Sequence, residues 1–406
     1  MRFHFGDCVL DADRRELRRA GEPVAVEPQV FDLLLHLVRE REHVVSKDGL
    51  LDAVWNGRIV SESTLSSRIN AARRAVGDAG AEQGLIRTYA RRGFRFVGEV
   101  REEGGAPGLA AAVPGGPAGA GVLPPPPPQE VAFFRAPDGV TLAAASVGEG
   151  PETLVKTANW LTHLEQDWRS PFWSHLLRHL ARGRRLVRYD ARGSGLSDRG
   201  VPDISFGAFL GDLEAMVDRF GLHRFSLFGP SQGASVAAAY AALHPERVSR
   251  LVLLGGYAQG RNRRGSEDER DMARAFAALI RRGWGDERSA FMRAYHSVYF
   301  PGASPEQLRG WAEMQRLSAT PEDAMRIRLA CDDIDVLDLL PRVRAPTLVL
   351  HCRGDNVVPL EQGRRIAAAI PGARLVVLES DNHVVLPGEP EWPRFVGELE
   401  GFLRGT

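Results

Sequence analysis

The sequence predicts two domains of different class, a small α+β domain followed by a larger α/β domain built on a mostly parallel sheet. Three observations lead there. A chain of 406 residues exceeds one ordinary domain and fits one of about a hundred residues and one of about 270. Residues 103–129 are dominated by Gly, Ala and Pro and close on five consecutive prolines, Pro124 to Pro128, which marks a linker. Before that stretch a strand pattern precedes several helical ones. After it, strand and helix patterns alternate, the order of a parallel sheet with crossover helices. The expected boundaries are 1–102, 103–129 and 130–406.

Composition narrows the function classes. An apolar share of 44% and a charged share of 26% are those of a soluble globular protein. With 52 basic and 52 acidic residues, attraction to nucleic acid must come from a local patch. Only Lys47 and Lys156 are lysines; the arginine, alanine and glycine bias reads as the codon usage of a GC-rich bacterial genome. Cys8, Cys331 and Cys352 are few, odd in number and far apart, which points to a reducing cytoplasm rather than a disulfide or zinc framework. Neither a signal peptide nor an apolar run of ~18 residues is visible, so the expectation is a soluble cytoplasmic protein without a membrane partner. No metal or organic cofactor is implied. The proline run favours a polyproline II spacer rising ~3.1 Å per residue, about 15 Å in all, that holds the domains apart.

In the first domain, Phe3 to Leu10 reads as strand, and Val30–Arg39, Lys47–Val54 and Glu62–Val76 read as helices. Leu85–Val97 reads as a hairpin. In the third helix Leu65, Ile69, Ala72 and Val76 recur at helical spacing and form a core face, with Ser61 as N-cap. The opposite face carries Ser63, Thr64, Ser67, Arg68, Ala71 and Arg74, groups that reach base edges and phosphates from the major groove. In the hairpin, Arg87, Arg91, Arg92 and Arg95 surround Gly93, and a basic tip suits the minor groove. From Arg58 to Arg95 there are eight arginines against Glu62, Asp78 and Glu82, the local excess that phosphate binding needs.

The spaced motifs Glu27-Pro28-Gln29-Val30-Phe31-Asp32-Leu33-Leu34, Val44-Val45-Ser46-Lys47-Asp48-Gly49-Leu50-Leu51 with Trp55, and Arg92-Gly93-Phe94-Arg95 resemble the OmpR/PhoB-type winged-helix family across residues 1–100. The resemblance implies binding to double-stranded DNA, with pairing as a homodimer on repeated half-sites. The family's usual receiver domain is absent in front, as in one-component regulators, and no membrane anchor follows.

In the second domain, residues 223–233 read His-Arg-Phe-Ser-Leu-Phe-Gly-Pro-Ser-Gln-Gly, an apolar strand running into G-x-S-x-G and a small-residue helix. Gly229 and Gly233 permit a sharp turn that exposes Ser231 above the sheet. Thr347 to His351 is a buried-strand pattern that places Asp355 at its C-terminal end, with Asp381 and Asp335 as rivals. Arg374 to Leu378 is another strand and leads to His383. The chemistry needs this set: a serine hydroxyl is a poor nucleophile until a histidine takes its proton, and a carboxylate fixes the tautomer.

With Asp190-Ala191-Arg192-Gly193-Ser194-Gly195-Leu196-Ser197-Asp198, these motifs resemble the α/β-hydrolase fold of serine esterases over residues 130–406. Where such enzymes carry His-Gly after the third strand, this chain has Lys156-Thr157-Ala158-Asn159-Trp160-Leu161. The expected oxyanion donors are the backbone N–H groups of Gln232 and Trp160, Trp160 alternatively lining the pocket. Residues 258–340, with Trp284, Phe291, Tyr295, Tyr299 and Trp311, read as a helical lid.

The combined expectation is a one-component transcriptional regulator whose hydrolase domain binds and hydrolyses a small ester, lactone or amide. Two alternatives stay open: an esterase-like enzyme whose DNA-binding domain serves tethering or autoregulation, and a non-catalytic ligand sensor.

Overall fold

The computed structural model describes residues 2–12, 14–41, 44–47, 50, 51, 54, 62–78, 84–89, 93–103, 127–284, 286 and 289–405. The chain divides into two compact units, Met1–Gly115 and Gly116–Thr406.

The first unit begins with four short strands, β1 (Arg2–Phe5), β2 (Cys8–Asp11), β3 (Glu16–Arg19) and β4 (Glu22–Val24). They pair antiparallel in sequence order. Alternation turns Phe3, Phe5, Cys8, Leu10 and Leu17 into the core. Helix α1 (Pro28–Arg39) starts on a proline, tolerated there because the first helical N–H has no intrahelical acceptor. It buries Val30, Phe31, Leu33, Leu34, Leu37 and Val38. Lys47, Leu50, Leu51 and Val54 are also helical.

Helix α2 (Glu62–Ala75) buries Leu65, Ile69 and Ala72, and Val76 follows into the same core. The hairpin of β5 (Ile86–Tyr89) and β6 (Gly93–Phe96) is fastened to α2 by Arg73, which donates to Ile86 O at 2.7 Å and Thr88 Oγ1 at 2.8 Å. A Cβ at Gly93 would overlap the Val45 carbonyl, and Val45 and Phe94 exchange backbone hydrogen bonds there. Strand β7 (Arg101–Glu103), which the sequence patterns do not reveal, adds to β1 and completes the order β4-β3-β2-β1-β7.

The second unit holds an eight-stranded sheet. It starts with β8 (Glu130–Arg135), β9 (Thr141–Val147) and β10 (Thr153–Lys156), then α3 (Ser174–Leu180), β11 (Arg185–Tyr189) and α4 (Phe206–Arg219). Next come β12 (Phe225–Pro230), α5 (Gln232–Leu243) and β13 (Val248–Leu254). Helices α6 (Glu267–Gly283), α7 (Ala290–Tyr299), α8 (Pro305–Ser318) and α9 (Pro321–Asp332) follow. The chain then returns as β14 (Thr347–Cys352), α10 (Leu360–Ala369), β15 (Arg374–Leu378) and α11 (Trp392–Arg404).

The strand order is β15-β14-β13-β12-β10-β11-β9-β8. Only the pairings of β9 with β8 and β11 are antiparallel; β10 to β15 run parallel. The central strands β12 and β14 are buried along their whole length, as strands covered on both faces must be. Parallel strands deliver their C-terminal ends to one edge, where the loops after β10, β12, β14 and β15 meet.

Candidate active site

Strand β12 passes into α5 through Ser231, whose φ of 52° and ψ of −129° lie outside the regions ordinary residues favour. Strain of this kind costs on the order of 1–3 kcal/mol and persists only where the surroundings fix it. Here Ser231 N–H donates to Leu254 O at 2.7 Å, and Ala234 N–H donates to Ser231 O at 3.0 Å. The flanking glycines are required by space. A Cβ at Gly229 would meet Ala237 Cβ at 2.7 Å, and one at Gly233 would overlap Ala158 O and Thr157 Oγ1. Gly233 thus lets the loop after β10 close against the start of α5.

The structure brings Ser231, His383 and Asp355 into one hydrogen-bonded line. His383 Nε2 lies 2.9 Å from Ser231 Oγ, and Nδ1 lies 2.7 Å from Asp355 Oδ2. An ionised carboxylate only accepts, so Nδ1 carries the proton and Nε2 of the neutral ring is left to accept from the serine hydroxyl. Asp355 Oδ1 accepts from the N–H groups of Val357 at 2.8 Å and Val358 at 3.0 Å, which holds the carboxylate in register. The sequence rivals lie elsewhere: Asp335 accepts from Gln259 Nε2 at 2.8 Å, and Asp381 packs on Gly354.

His351, in β14, is a further residue of the site that its sequence pattern marks only as part of a strand. It is fully buried, its Nε2 donates to Val358 O at 2.8 Å, and it stands 3.7 Å from Asp355 Oδ2. Burial lowers its pKa, so it stays neutral and braces the 355–358 turn. Its only sequence signal is a position four residues before Asp355.

Gln232 opens α5, where the first N–H groups of a helix have no intrahelical acceptor. Trp160 lies in the loop after β10, and that loop is organised by Lys156. Although 2% exposed, Lys156 donates from Nζ to Asn159 Oδ1 at 2.7 Å and Thr157 O at 3.1 Å. Asn159 Nδ2 in turn donates to Trp160 O at 3.2 Å. A lysine only donates, so it fixes which way the Asn159 amide faces. The 190–198 loop supports the far side: Asp190 Oδ2 accepts from Leu164 N and Leu196 N, and Ser194 Oγ donates to Thr162 O at 2.7 Å. The site is closed. Ser231 is 8% exposed, the Tyr299 ring stands edge-on to His383 at 5.6 Å, and Trp284 packs against Trp160.

Of the groups expected to face DNA, Ser67 and Arg74 are exposed on α2 and Thr64 is half-buried. Arg68 is half-buried and ion-paired to Glu27 at 2.5 Å, a contact between α2 and the start of α1 that the helical wheel does not show. Ser63's side chain, Arg91 and Arg92 lie outside the described residues, as does Ser61. Among the described residues no cluster of three or more His, Cys, Asp or Glu could hold a metal ion, and no helix is long and apolar enough to cross a membrane.

Comparison with known families decides the class of this unit, because residues 166–390, more than half of the chain, match the model of the alpha/beta hydrolase fold. The protein belongs to the α/β-hydrolase family. Residues 21–96 match the model described as transcriptional regulatory protein, C terminal, so the hydrolase is fused to a regulator-type DNA-binding domain. A putative carbamate hydrolase of Caulobacter sp. (strain K31) is 28% identical over 241 residues, covering 58% of this chain and 86% of the relative. The 2-hydroxy-6-oxononadienedioate/2-hydroxy-6-oxononatrienedioate hydrolase 2 of Pseudomonas putida is 30% identical over 250 residues, covering 58% of this chain and 83% of the relative. Among solved structures, an esterase from Exiguobacterium antarcticum shares the fold at TM-score 0.57 and 23% identity, covering 67% of this chain and 98% of its own. A thermophilic esterase from Thermogutta terrifontis does so at TM-score 0.54 and 26% identity, covering 68% and 98%.

Proposed function

We propose that the protein is a cytoplasmic one-component transcriptional regulator whose hydrolase unit binds a small ester, lactone or amide and hydrolyses it at Ser231. The observation that carries this reading is the line from Ser231 Oγ through His383 to Asp355, 2.9 and 2.7 Å long, at the sheet edge. Ser231 attacks the carbonyl carbon while His383 takes its proton, and Asp355 stabilises the imidazolium that forms. The backbone N–H groups of Gln232 and Trp160 receive the developing oxyanion. His383 then protonates the leaving group, and water, activated by the same imidazole, releases the acyl group. The carbonyl chemistry in the names of the carbamate hydrolase and esterase relatives agrees with this assignment.

Residues 258–340 act as the lid, residues 1–102 as the DNA-binding domain and 103–129 as the spacer to the enzyme at 130–406. On DNA the chain pairs as a homodimer, with Thr64, Ser67 and Arg74 toward the major groove and Ser63, Arg91 and Arg92 as further DNA contacts. Arg68 contributes through its pairing with Glu27 as well as its charge.

Hydrolysis of p-nitrophenyl esters of increasing acyl length, with a serine-reactive phosphonate alongside, tests the enzymatic half. Wild type turns over and is labelled; Ser231→Ala loses labelling and at least ~10⁴ in kcat. A folded wild type that shows neither would leave the unit as a ligand sensor. For the DNA half, Arg74→Ala weakens the mobility shift and lowers the salt slope by about one. An unchanged shift would remove α2 from the interface.

A further inference from the structure

The site contains hydrogen-bond donors with nothing to receive them. Trp160 is 5% exposed, yet its Nε1 is buried without a hydrogen-bond partner. Trp284 Nε1 donates to Ala319 O and Trp168 Nε1 to Gln129 Oε1, each at 2.9 Å, whereas Trp311 Nε1, in α8 against the rings of Phe172 and Phe300, is likewise buried without a partner. Buried polar groups are nearly always satisfied, so an indole N–H left open in the loop that packs on the start of α5 marks a place for an acceptor that arrives with a ligand.

A second donor stands over the same ring. The guanidinium carbon of Arg328, in α9, lies 6.0 Å from the Trp160 ring centre. Arg328 is as deeply buried as Trp160. Its Nε and Nη2 are taken by Asp332, and among the described residues no hydrogen bond engages Nη1, which unlike Trp160 Nε1 is not sealed off from accessible space. The hydroxyls nearby are engaged: those of Tyr295 and Tyr299 bond each other at 2.9 Å, and Tyr257's donates to Cys331 O at 3.1 Å.

Charge points the same way. Asp332 is shared between Arg328 and Arg261, which stands 3.6 Å from it, and Arg261 and Arg264 share Glu269 at 3.7 and 3.2 Å. Three arginines thus face two carboxylates on α6, α9 and the segment that leads into α6. Among the described residues Asp355 makes no ion pair with any of the three; its oxygens face Val357, Val358 and His383.

Indole and guanidinium groups only donate. Their complement is a group that only accepts and carries negative charge. We infer that the substrate of this hydrolase carries a carboxylate apart from the bond that is cut, and that Trp160 Nε1 and Arg328 Nη1 receive it. The inference rests on Ser231 being the nucleophile of a carbonyl hydrolase and adds the substrate's charge, which the strand-end triad leaves open.

The test pairs probes that differ only in that charge. On the acyl side, mono-p-nitrophenyl glutarate is compared with p-nitrophenyl valerate; on the leaving-group side, 4-carboxyphenyl butyrate is compared with 4-carbamoylphenyl butyrate. Wild type is expected to favour the acid by ~10-fold or more in kcat/KM in at least one pair. Arg328→Met brings that ratio near one. Arg328→Met/Asp332→Asn does the same without leaving a buried carboxylate unpaired, which covers the case where the single variant fails to fold. A binding arm needs no turnover: calorimetry on Ser231→Ala protein is expected to show monomethyl glutarate binding at least ~10-fold tighter than the neutral ester methyl valerate. Hydrolysis that favours the neutral member of both pairs, or equal binding of the two esters, overturns the inference while leaving the nucleophile in place. Absent turnover and labelling, with monomethyl glutarate still preferred, would fail the hydrolase reading and keep the anion site.

Discussion

Two backbone segments converge on Ser231, and they are held in shape by opposite means. The turn from β12 into α5 is built from small and apolar residues, and its geometry comes from contact: Gly229 lies against Ala237, and Gly233 against Ala158 and Thr157. The loop from Lys156 to Leu164 is built from charge. Lys156 grips Thr157 O and Asn159, Arg188 reaches Asp167 at 2.9 Å and also Leu164 O, and Asp190 collects the Leu164 and Leu196 N–H groups. All four charged groups are buried. A turn set by contact has no slack, so any added atom displaces it. A loop set by hydrogen bonds yields by degrees and responds to protonation.

The largest effect is therefore expected at the turn. Gly233→Ala places a methyl where Ala158 O and Thr157 Oγ1 already sit. Overpacking of this kind costs about 1–3 kcal/mol, and parting the two segments separates the proposed oxyanion donors Gln232 and Trp160, for an expected loss of ~10²–10³ in kcat. Melting temperature and steady-state kinetics on a p-nitrophenyl ester check both. Full kcat in Gly233→Ala would mean that the turn has slack after all and would break the contrast.

The same contrast explains what the sequence discloses. Ser231, Asp355 and His383 are legible because each follows a strand pattern within a few residues, so local order fixes the edge to which it is delivered. The core face of α2, Leu65, Ile69, Ala72 and Val76, is legible from a single period. The supports of the loop after β10 are not. Nothing in the string Lys156-Thr157-Ala158-Asn159 says that its lysine is buried, because a lysine at a strand end is ordinarily solvated. Its burial depends on Asp167 and Asp190, which arrive from other segments. The pairing of Arg68 with Glu27 escapes for the same reason: residues 41 apart in sequence meet only once α1 and α2 pack. Arginines are so numerous in this chain that type alone cannot separate the buried Arg188, Arg192 and Arg328 from the exposed Arg74.

A smaller effect, with a distinctive sign, is expected at the loop. Burial pushes the Lys156 ammonium down to about 8 from its ordinary 10.5, with Asp167 pulling the other way. Below pH 8 the group is charged in both folded and unfolded chains, and burying that charge opposes folding. Between pH 8 and 10.5 the folded lysine is neutral while the unfolded one still holds its proton. The unfolded chain then binds more protons, so stability rises with pH. Lys156→Met has no such titration. It is expected to exceed wild type in stability at pH 7 by on the order of a few kcal/mol, with the gap closing as pH approaches 10. Its kcat should fall ~10- to 100-fold, because Asn159 loses the donor that orients its amide toward Trp160 O. Denaturant unfolding at pH 7, 9 and 10, with kcat measured at pH 7, checks both signs. A variant less stable than wild type at pH 7 with unchanged kcat would make Lys156 a strut of the fold and remove the charge-built loop from the catalytic account.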